Sequence, residues 1–525
     1  MFEFFSSLLI SFTSATIFSL LTLFTFGFYL VYQNYQKVQH IPGVWQLLPF
    51  GPFRIPFLSP YIYIGNQYDL CKVIEAHGDK ETKTLRISTL FGNVVIVSDR
   101  EMLKQVHSKQ LHVLNKDPRL KVTEIFGESL VSAPDTARWK KHHRVLSAAF
   151  TSGNLEFMCR VAVKTVDQLT RNKWDVCMSK SENGTMMLEP YQDFTNVTLD
   201  VLAKSVFGTS FCVFPDSEQS NPDLIATGRQ LKQAIEKIFT IAFPIRMFLG
   251  WFPLLEKVAL HFSGAQQGIE CCSKVLDECI EERRTRIERG EEISQQDLLS
   301  LMVKANMENN ELTMDHVKSN GLLFFVAGTE TSSNTLQWII YELAKRPEIQ
   351  KRAQQEVDQI LNNGQLQPSF QLYDSFIYCN AIIHETLRCH PPVGSISKIC
   401  IHPHTLLGKF EIPKGTIIHS LITQANKNEQ VWPHLHNTFH PDRFLNVDEL
   451  NKRHSDYSMI PFSMGLRKCI GYKFALFEML MVLTRLIQNY EFELLNDENV
   501  NPVLAIPDIT FKPYGMKVRV SKRRV

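Results

Sequence analysis

The chain has 525 residues, 44% of them hydrophobic, enough to bury a large core in one big domain or several. Lys and Arg number 56 against 54 Asp and Glu, a net charge of +2, which excludes a nucleic-acid binder held by bulk phosphate attraction. Eleven cysteines without a C-x-x-C pair exclude a disulfide framework or a zinc ribbon and place the bulk of the chain in a reducing compartment.

No residue from Phe4 to Gln36 is charged, and the apolar run suffices for a helix of about 20 residues across a membrane, giving an expected anchor over 1–36. A cleaved signal peptide is the competing reading, but its apolar region spans only about 7 to 15 residues and follows a basic stretch that is missing here. Glu3 precedes the run, and Lys37 and Arg54 follow it, so the positive-inside rule puts the rest of the chain in the cytoplasm. The sequons at Asn183 and Asn196 would then go unglycosylated. Ile41-Pro42-Gly43 with Pro49, Pro52 and Pro56 predicts a stiff, non-helical connector over 37–60, ahead of a body over 61–525.

In the body, Leu85-Arg86-Ile87 and Val94-Val95-Ile96-Val97 flank Phe91-Gly92-Asn93 and predict a β-hairpin, followed by a helix starting near Ser98 or Asp99. Strands are otherwise few, so the fold class is mainly α with small β-sheets. Trp139-Lys140-Lys141-His142-His143-Arg144 lies on an amphipathic helix with a dense basic face, and Glu281–Arg286 reads as a solvated helix face. Thr313 caps a long helix that Pro347 ends, because the residue before proline avoids the α region.

Inside that helix, Ala327-Gly328-Thr329-Glu330-Thr331-Ser332 sets a glycine and an acid among three hydroxyls. A small-residue helix crossing, with hydroxyls bonded back to their own carbonyls, explains the composition without any chemistry. Glu385 and Arg388 share a helix face at i, i+3, and Arg443 follows in Phe439–Phe444. A zincin H-E-x-x-H fails because Arg388 stands where the second histidine belongs, and the pairs His402 and His404, and His434 and His436, read as surface loops.

Last in order, Pro461–Gly471 places Cys469 between Gly465 and Gly471 and beside Arg467 and Lys468, at the start of a strongly apolar helix. Orphan N–H groups, the helix dipole and the two cations favour a thiolate there. Phe462, Gly465, Arg467, Cys469 and Gly471 match F-x-x-G-x-R-x-C-x-G, which resembles the haem-ligand signature of the cytochrome P450 family.

The resemblance implies the cytochrome P450 fold, with Cys469 as axial thiolate of haem b iron. Ala327–Ser332 is similar to the family's oxygen-activation segment, implying that Glu330 relays protons and Thr331 donates one as dioxygen is split. It implies a Glu385–Arg388–Arg443 clamp that fixes the backbone leading to Cys469, and propionate contacts from Trp139, from His143 or Arg144, and from Lys398. Phe462, Arg467 and Gly471 belong to the haem-binding loop. The activity implied is monooxygenation of a lipophilic substrate, with NADPH electrons arriving through a flavoprotein reductase, because no dinucleotide motif is present. The location implied is the endoplasmic reticulum membrane. Lys140, Lys141, Lys468 and Lys473 would form a basic docking face for that reductase. The alternatives are a haem protein that senses or stores a gas, a haem-thiolate isomerase, and a haem-free membrane scaffold.

Overall fold

The computed structural model describes residues 19, 21–46, 67–109, 113–134, 136–209, 222–250, 252–291, 297–309, 311–433, 436–507 and 510–523. The chain divides into two units, Met1–Asp117 with Ser395–Ala425, and Pro118–Gly394 with Asn426–Val525.

The first unit is built on a six-stranded sheet in the order Gly43–Gln46, Leu85–Thr89, Gly92–Val97, Ile417–Leu421, Ser395–Cys400 and Leu114–Lys116. The expected hairpin is its centre: Leu85 pairs with Ile96 and Ile87 with Val94, and Gly92 takes a φ of 132° that a side chain would strain. Asp99 caps the next helix, Arg100–Lys104, by accepting from the Met102 N–H at 3.0 Å. Part of the expected connector is a strand, since Gly43–Gln46 runs parallel to Leu85–Thr89. Glycine is needed there because a Cβ at residue 43 would lie 2.0 Å from the Arg86 carbonyl oxygen. Pro49, Pro52 and Pro56 lie outside the described residues. Of the expected anchor, residues 21–36 are helical and expose Leu21, Leu23, Phe24 and Phe26. Among the described residues no helix is long and apolar enough to cross a membrane.

The second unit is predominantly helical. Seven of its helices matter for the site: α1 (Thr136–Ser147), α2 (Ser152–Leu169), α3 (Pro190–Val206), α4 (Pro222–Lys237), α5 (Met314–Lys345), α6 (Ile377–Cys389) and α7 (Tyr472–Asn489). Thr313 starts α5 as expected: its Oγ1 accepts from the His316 N–H at 3.2 Å, and His316 Nδ1 accepts from the Thr313 N–H at 3.3 Å. Its 32 residues extend about 48 Å at 1.5 Å per residue. Buried residues occupy all sides of α5, so it runs through the core of the unit. Leu480, Val482, Leu483 and Ile487 of α7 join Leu155, Met158 and Val166 of α2 in one apolar cluster.

At Glu281–Arg286 the expected solvated face holds for Glu281, Glu282 and Arg284 and fails at Arg283. Arg283 is buried, and its Nη2 donates to the carbonyls of Phe207 and Gly208 at 2.9 and 2.8 Å, beside Asp297. It thereby satisfies orphan carbonyls just past the end of α3, a role invisible in a run of like residues.

Candidate active site

The Cys469 loop is folded by its own backbone. The Cys469 N–H donates to the Phe462 carbonyl at 2.9 Å and the Lys468 N–H to the Gly465 carbonyl at 3.1 Å, while Ser463 and Gly465 take φ of 59° and 71°. Cys469 stands three residues before α7, and its side chain keeps exposed surface although protein crowds it on most sides. That crowding raises the thiol pKa above its ordinary value, against the Gly471 N–H and the Lys468 charge. The expected thiolate is therefore not favoured by the protein alone: desolvation outweighs the helix terminus and the cation. Lys468 is half-buried with its ammonium 3.7 Å from the Tyr472 ring centroid, whereas Lys140, Lys141 and Lys473 are exposed.

Beside the loop, Trp139 of α1 is buried under the Arg467 guanidinium, which lies 4.7 Å from its ring and donates to the Ala133 carbonyl at 3.0 Å. The His143 ring packs against Trp139 itself, tilted by 39° with ring centroids 4.7 Å apart. Burial and then the Arg467 charge lower the His143 pKa, so it is a neutral hydrogen-bonding group at pH 7. Arg144 points away and pairs with Glu311 at 2.6 Å on the exposed side. Of the two alternatives only His143 joins Trp139 and Arg467. Lys398 belongs to the first unit, where it is buried and donates to the Val106 carbonyl at 2.5 Å.

In α5 the bland reading has real support. Gly328 is where α3 crosses, since a Cβ there would meet Leu202 Cδ1 at 2.9 Å, and the Thr331 hydroxyl donates to the Ala327 carbonyl at 2.7 Å. Yet Ala327 is exposed in the middle of an otherwise buried helix, and Thr331 is half-exposed. Glu330 Oε1 accepts from Asn334 Nδ2 at 3.2 Å and from Thr510 Oγ1 at 3.4 Å. The acid therefore has two neutral donors among its partners.

Glu385, Arg388 and Arg443 come together as expected. Arg388 donates to both Glu385 oxygens at 2.7 and 2.8 Å, and Arg443 Nε to Glu385 Oε1 at 3.1 Å. Arg388 also donates to the carbonyls of His436 and Thr438 at 2.7 and 2.9 Å, and to that of Asn426 at 3.3 Å. Asn426 Oδ1 in turn accepts from the Ile460 N–H, which connects the clamp to the strand of chain entering the Cys469 loop. The sequence reading missed Trp432, whose ring lies 5.0 to 5.6 Å from the guanidinium carbons of Arg388, Arg443 and Arg453.

It also missed Glu128, His142 and His316, which lie close enough together to hold a metal ion. Asn320 Nδ2 donates to His142 Nδ1 at 2.9 Å, and the Thr313 N–H to His316 Nδ1. Those bonds occupy both Nδ1 atoms and leave the ring protons on Nε2, with His142 Nε2 3.7 Å from Glu128 Oε1, so the three side chains read as a polar knot. Burial and then His316 hold the His142 pKa down at about 4.

The profile of the cytochrome P450 family matches residues 49–520. Cytochrome P450 3A6 of Oryctolagus cuniculus is 29% identical over 422 residues, covering 78% of this chain and 78% of that protein. Geraniol 8-hydroxylase of Catharanthus roseus is 25% identical over 485 residues, covering 88% and 90%. Cytochrome P450 72A15 of Arabidopsis thaliana is 27% identical over 419 residues, covering 77% and 76%.

Proposed function

Because the chain belongs to the cytochrome P450 family of monooxygenases, we propose that it inserts one atom of dioxygen into a lipophilic small molecule. The observation that supports this most is the combination, in one unit, of a crowded yet accessible thiol ahead of α7 and an acid–alcohol pair on the exposed turn of α5.

The residues fit a haem b group. Cys469 offers a soft sulfur donor, Gly465 and Gly471 stand on either side of it in the loop, and Ala327 leaves the exposed turn of α5 without bulk. When bound, a haem with a thiolate ligand supplies the reductive cleavage of dioxygen. Cys469 would hold the group through its sulfur, which would have to lose its proton on binding because the protein alone keeps the thiol pKa raised. Gly471 N–H and Lys468 then stabilise the sulfur charge, and Trp139, His143 and Arg467 serve the acidic edge of the group. Phe462 anchors the loop through its carbonyl. Glu330 holds a proton for the reaction and Thr331 passes it on, its hydroxyl turning from the Ala327 carbonyl toward the reacting atoms.

Electrons come from an NADPH-dependent flavoprotein reductase that meets Lys140, Lys141 and Lys473. The body works on the cytoplasmic face of the endoplasmic reticulum membrane, held there by residues 1–36, whose described part exposes an apolar row.

The purified protein is expected to give the red-shifted ferrous-CO band of a thiolate-ligated haem, and Cys469→Ser to lose it. Thr331→Ala should raise NADPH consumed per product several-fold. A Thr331→Ala protein with unchanged coupling would favour gas sensing or storage, which needs no proton delivery.

A further inference from the structure

Arg160, Val163, Lys164, Asp167, Gln168 and Arg171 recur at spacings of three and four residues, so they share one face of α2 and of the helical segment Thr170–Trp174 that continues it. That face is one wall of a cleft of about 470 Å³, open to solvent, whose other wall is Gln367, Pro368 and Ser369. The volume is that of a small-molecule site, and the cleft lies wholly within the second unit.

The two walls are tied together at both ends. At one end Glu156 accepts from Arg160 Nη1 at 3.0 Å and from Gln371 Nε2 at 3.2 Å, which bridges α2 to the turn that follows Ser369. At the other, Arg485 Nε of α7 donates to Asp167 Oδ1 at 2.6 Å and its Nη1 to Gln488 Oε1 at 2.8 Å. Gln488 Nε2 in turn donates to the Leu366 carbonyl at 3.3 Å, just ahead of Gln367. The cleft therefore keeps its shape before anything enters it, which spares a ligand the cost of ordering the walls.

The same bonds consume the acids. Asp167 is neutralised by Arg485 and Glu156 by Arg160, so Lys164 and Arg171 remain as the excess charge of the cleft. Both are exposed, and among the described residues neither makes an ion pair. Seven residues separate them, about 10 Å along the helix axis. An ammonium and a guanidinium at that spacing suit a ligand with several linked anionic groups better than a single carboxylate, and the fork of arginine matches phosphate oxygens. Val163 and Pro368 add an apolar surface between the polar groups.

We propose that this cleft binds a small molecule carrying linked phosphate groups, with the phosphates on Lys164 and Arg171 and the rest of the molecule against Val163 and Pro368. Soluble nucleoside polyphosphates and the headgroups of polyphosphorylated lipids share that chemistry. Neither Cys469 nor Glu330 lines the cleft, so the proposal stands apart from the monooxygenase reading. Because both walls are fastened to Arg485 and Gln488, an occupant braces the C-terminal end of α7, the helix that follows the Cys469 loop.

The test titrates the haem-loaded protein at low ionic strength with sodium tripolyphosphate, ATP and inositol trisphosphate. At least one of the three is expected to bind with one molecule per chain and to raise the unfolding temperature as its concentration rises. Tighter binding of ATP assigns a soluble nucleotide, and tighter binding of inositol trisphosphate a lipid headgroup. The double variant Lys164→Gln, Arg171→Gln should keep the ferrous-CO band and bind the same probe at least about tenfold more weakly. Lys141→Glu with Lys473→Glu, on another surface, should leave the affinity within about twofold. Tripolyphosphate should also shield Lys164 from an amine-directed reagent while Lys141 stays reactive. Binding of none of the three probes, wild-type affinity in the Lys164 and Arg171 variant, or an equal loss in the Lys141 and Lys473 variant would overturn the site and leave an adventitious charge effect only.

Discussion

Glu478 is the lone acid in the apolar run of α7, and that run shows nothing of its state. It is buried, neither carboxylate oxygen has a hydrogen-bond partner, and Ser332 of α5 lowers its pKa without forming a well-made bond. Burial pushes the carboxyl up from 4.5 to about 8, so the folded protein holds it as the neutral acid at pH 7. A pKa raised on folding gives stability that is complete below the unfolded value and lost as pH rises through the folded one. Wild-type stability is therefore expected to fall between pH 5 and pH 8, by up to roughly 1.4 kcal/mol per pH unit. Glu478→Gln should flatten that fall, as read by urea unfolding; equal slopes in both proteins would refute it. Cys469 teaches the same lesson, since motif and spacing place the thiol but only the surrounding atoms decide its proton.

Among elements, the clamp that joins α6 to the chain before α7 shows how spacing becomes structure. Glu385 and Arg388 at i, i+3 would contribute only about 0.2 to 0.5 kcal/mol on an exposed helix. Both are fully buried, and Arg388 satisfies three carbonyls besides the carboxylate. Removing one partner strands a buried charge, so Glu385→Ala is expected to cost about 3 to 5 kcal/mol in chemical unfolding. A loss below about 1 kcal/mol would mean that water reaches the pair. The hairpin at Leu85–Val97 and the cap at Thr313 were legible because each follows from neighbouring residues. Trp432 among three arginines was not, because its partners come from α6 and from two later segments.

At the scale of the whole molecule, a net charge of +2 leaves partner choice to local patches. Lys140, Lys141 and Lys473 remain exposed in the second unit, while Lys468 turns onto Tyr472 and drops out of the expected face. Reversing Lys141 and Lys473 to Glu should slow electron transfer from an acidic reductase by about tenfold at low ionic strength and flatten its salt dependence. An unchanged rate across salt would place the reductase elsewhere.

The sequence alone determined the mainly helical fold class, the long capped helix, and the positions of the Cys469 thiol and of Glu330 beside Thr331, because each is encoded in residues within a few positions of one another. Tertiary structure decided what depends on approach between distant segments. It chose His143 over Arg144 beside Trp139 and Arg467, buried Arg283 against the end of α3, and set the thiol above its ordinary pKa. It also set the cationic face of α2 across a cleft from a loop about two hundred residues away. Charge and proton affinity depend on desolvation, and desolvation is a property of neighbours that the chain brings together only on folding.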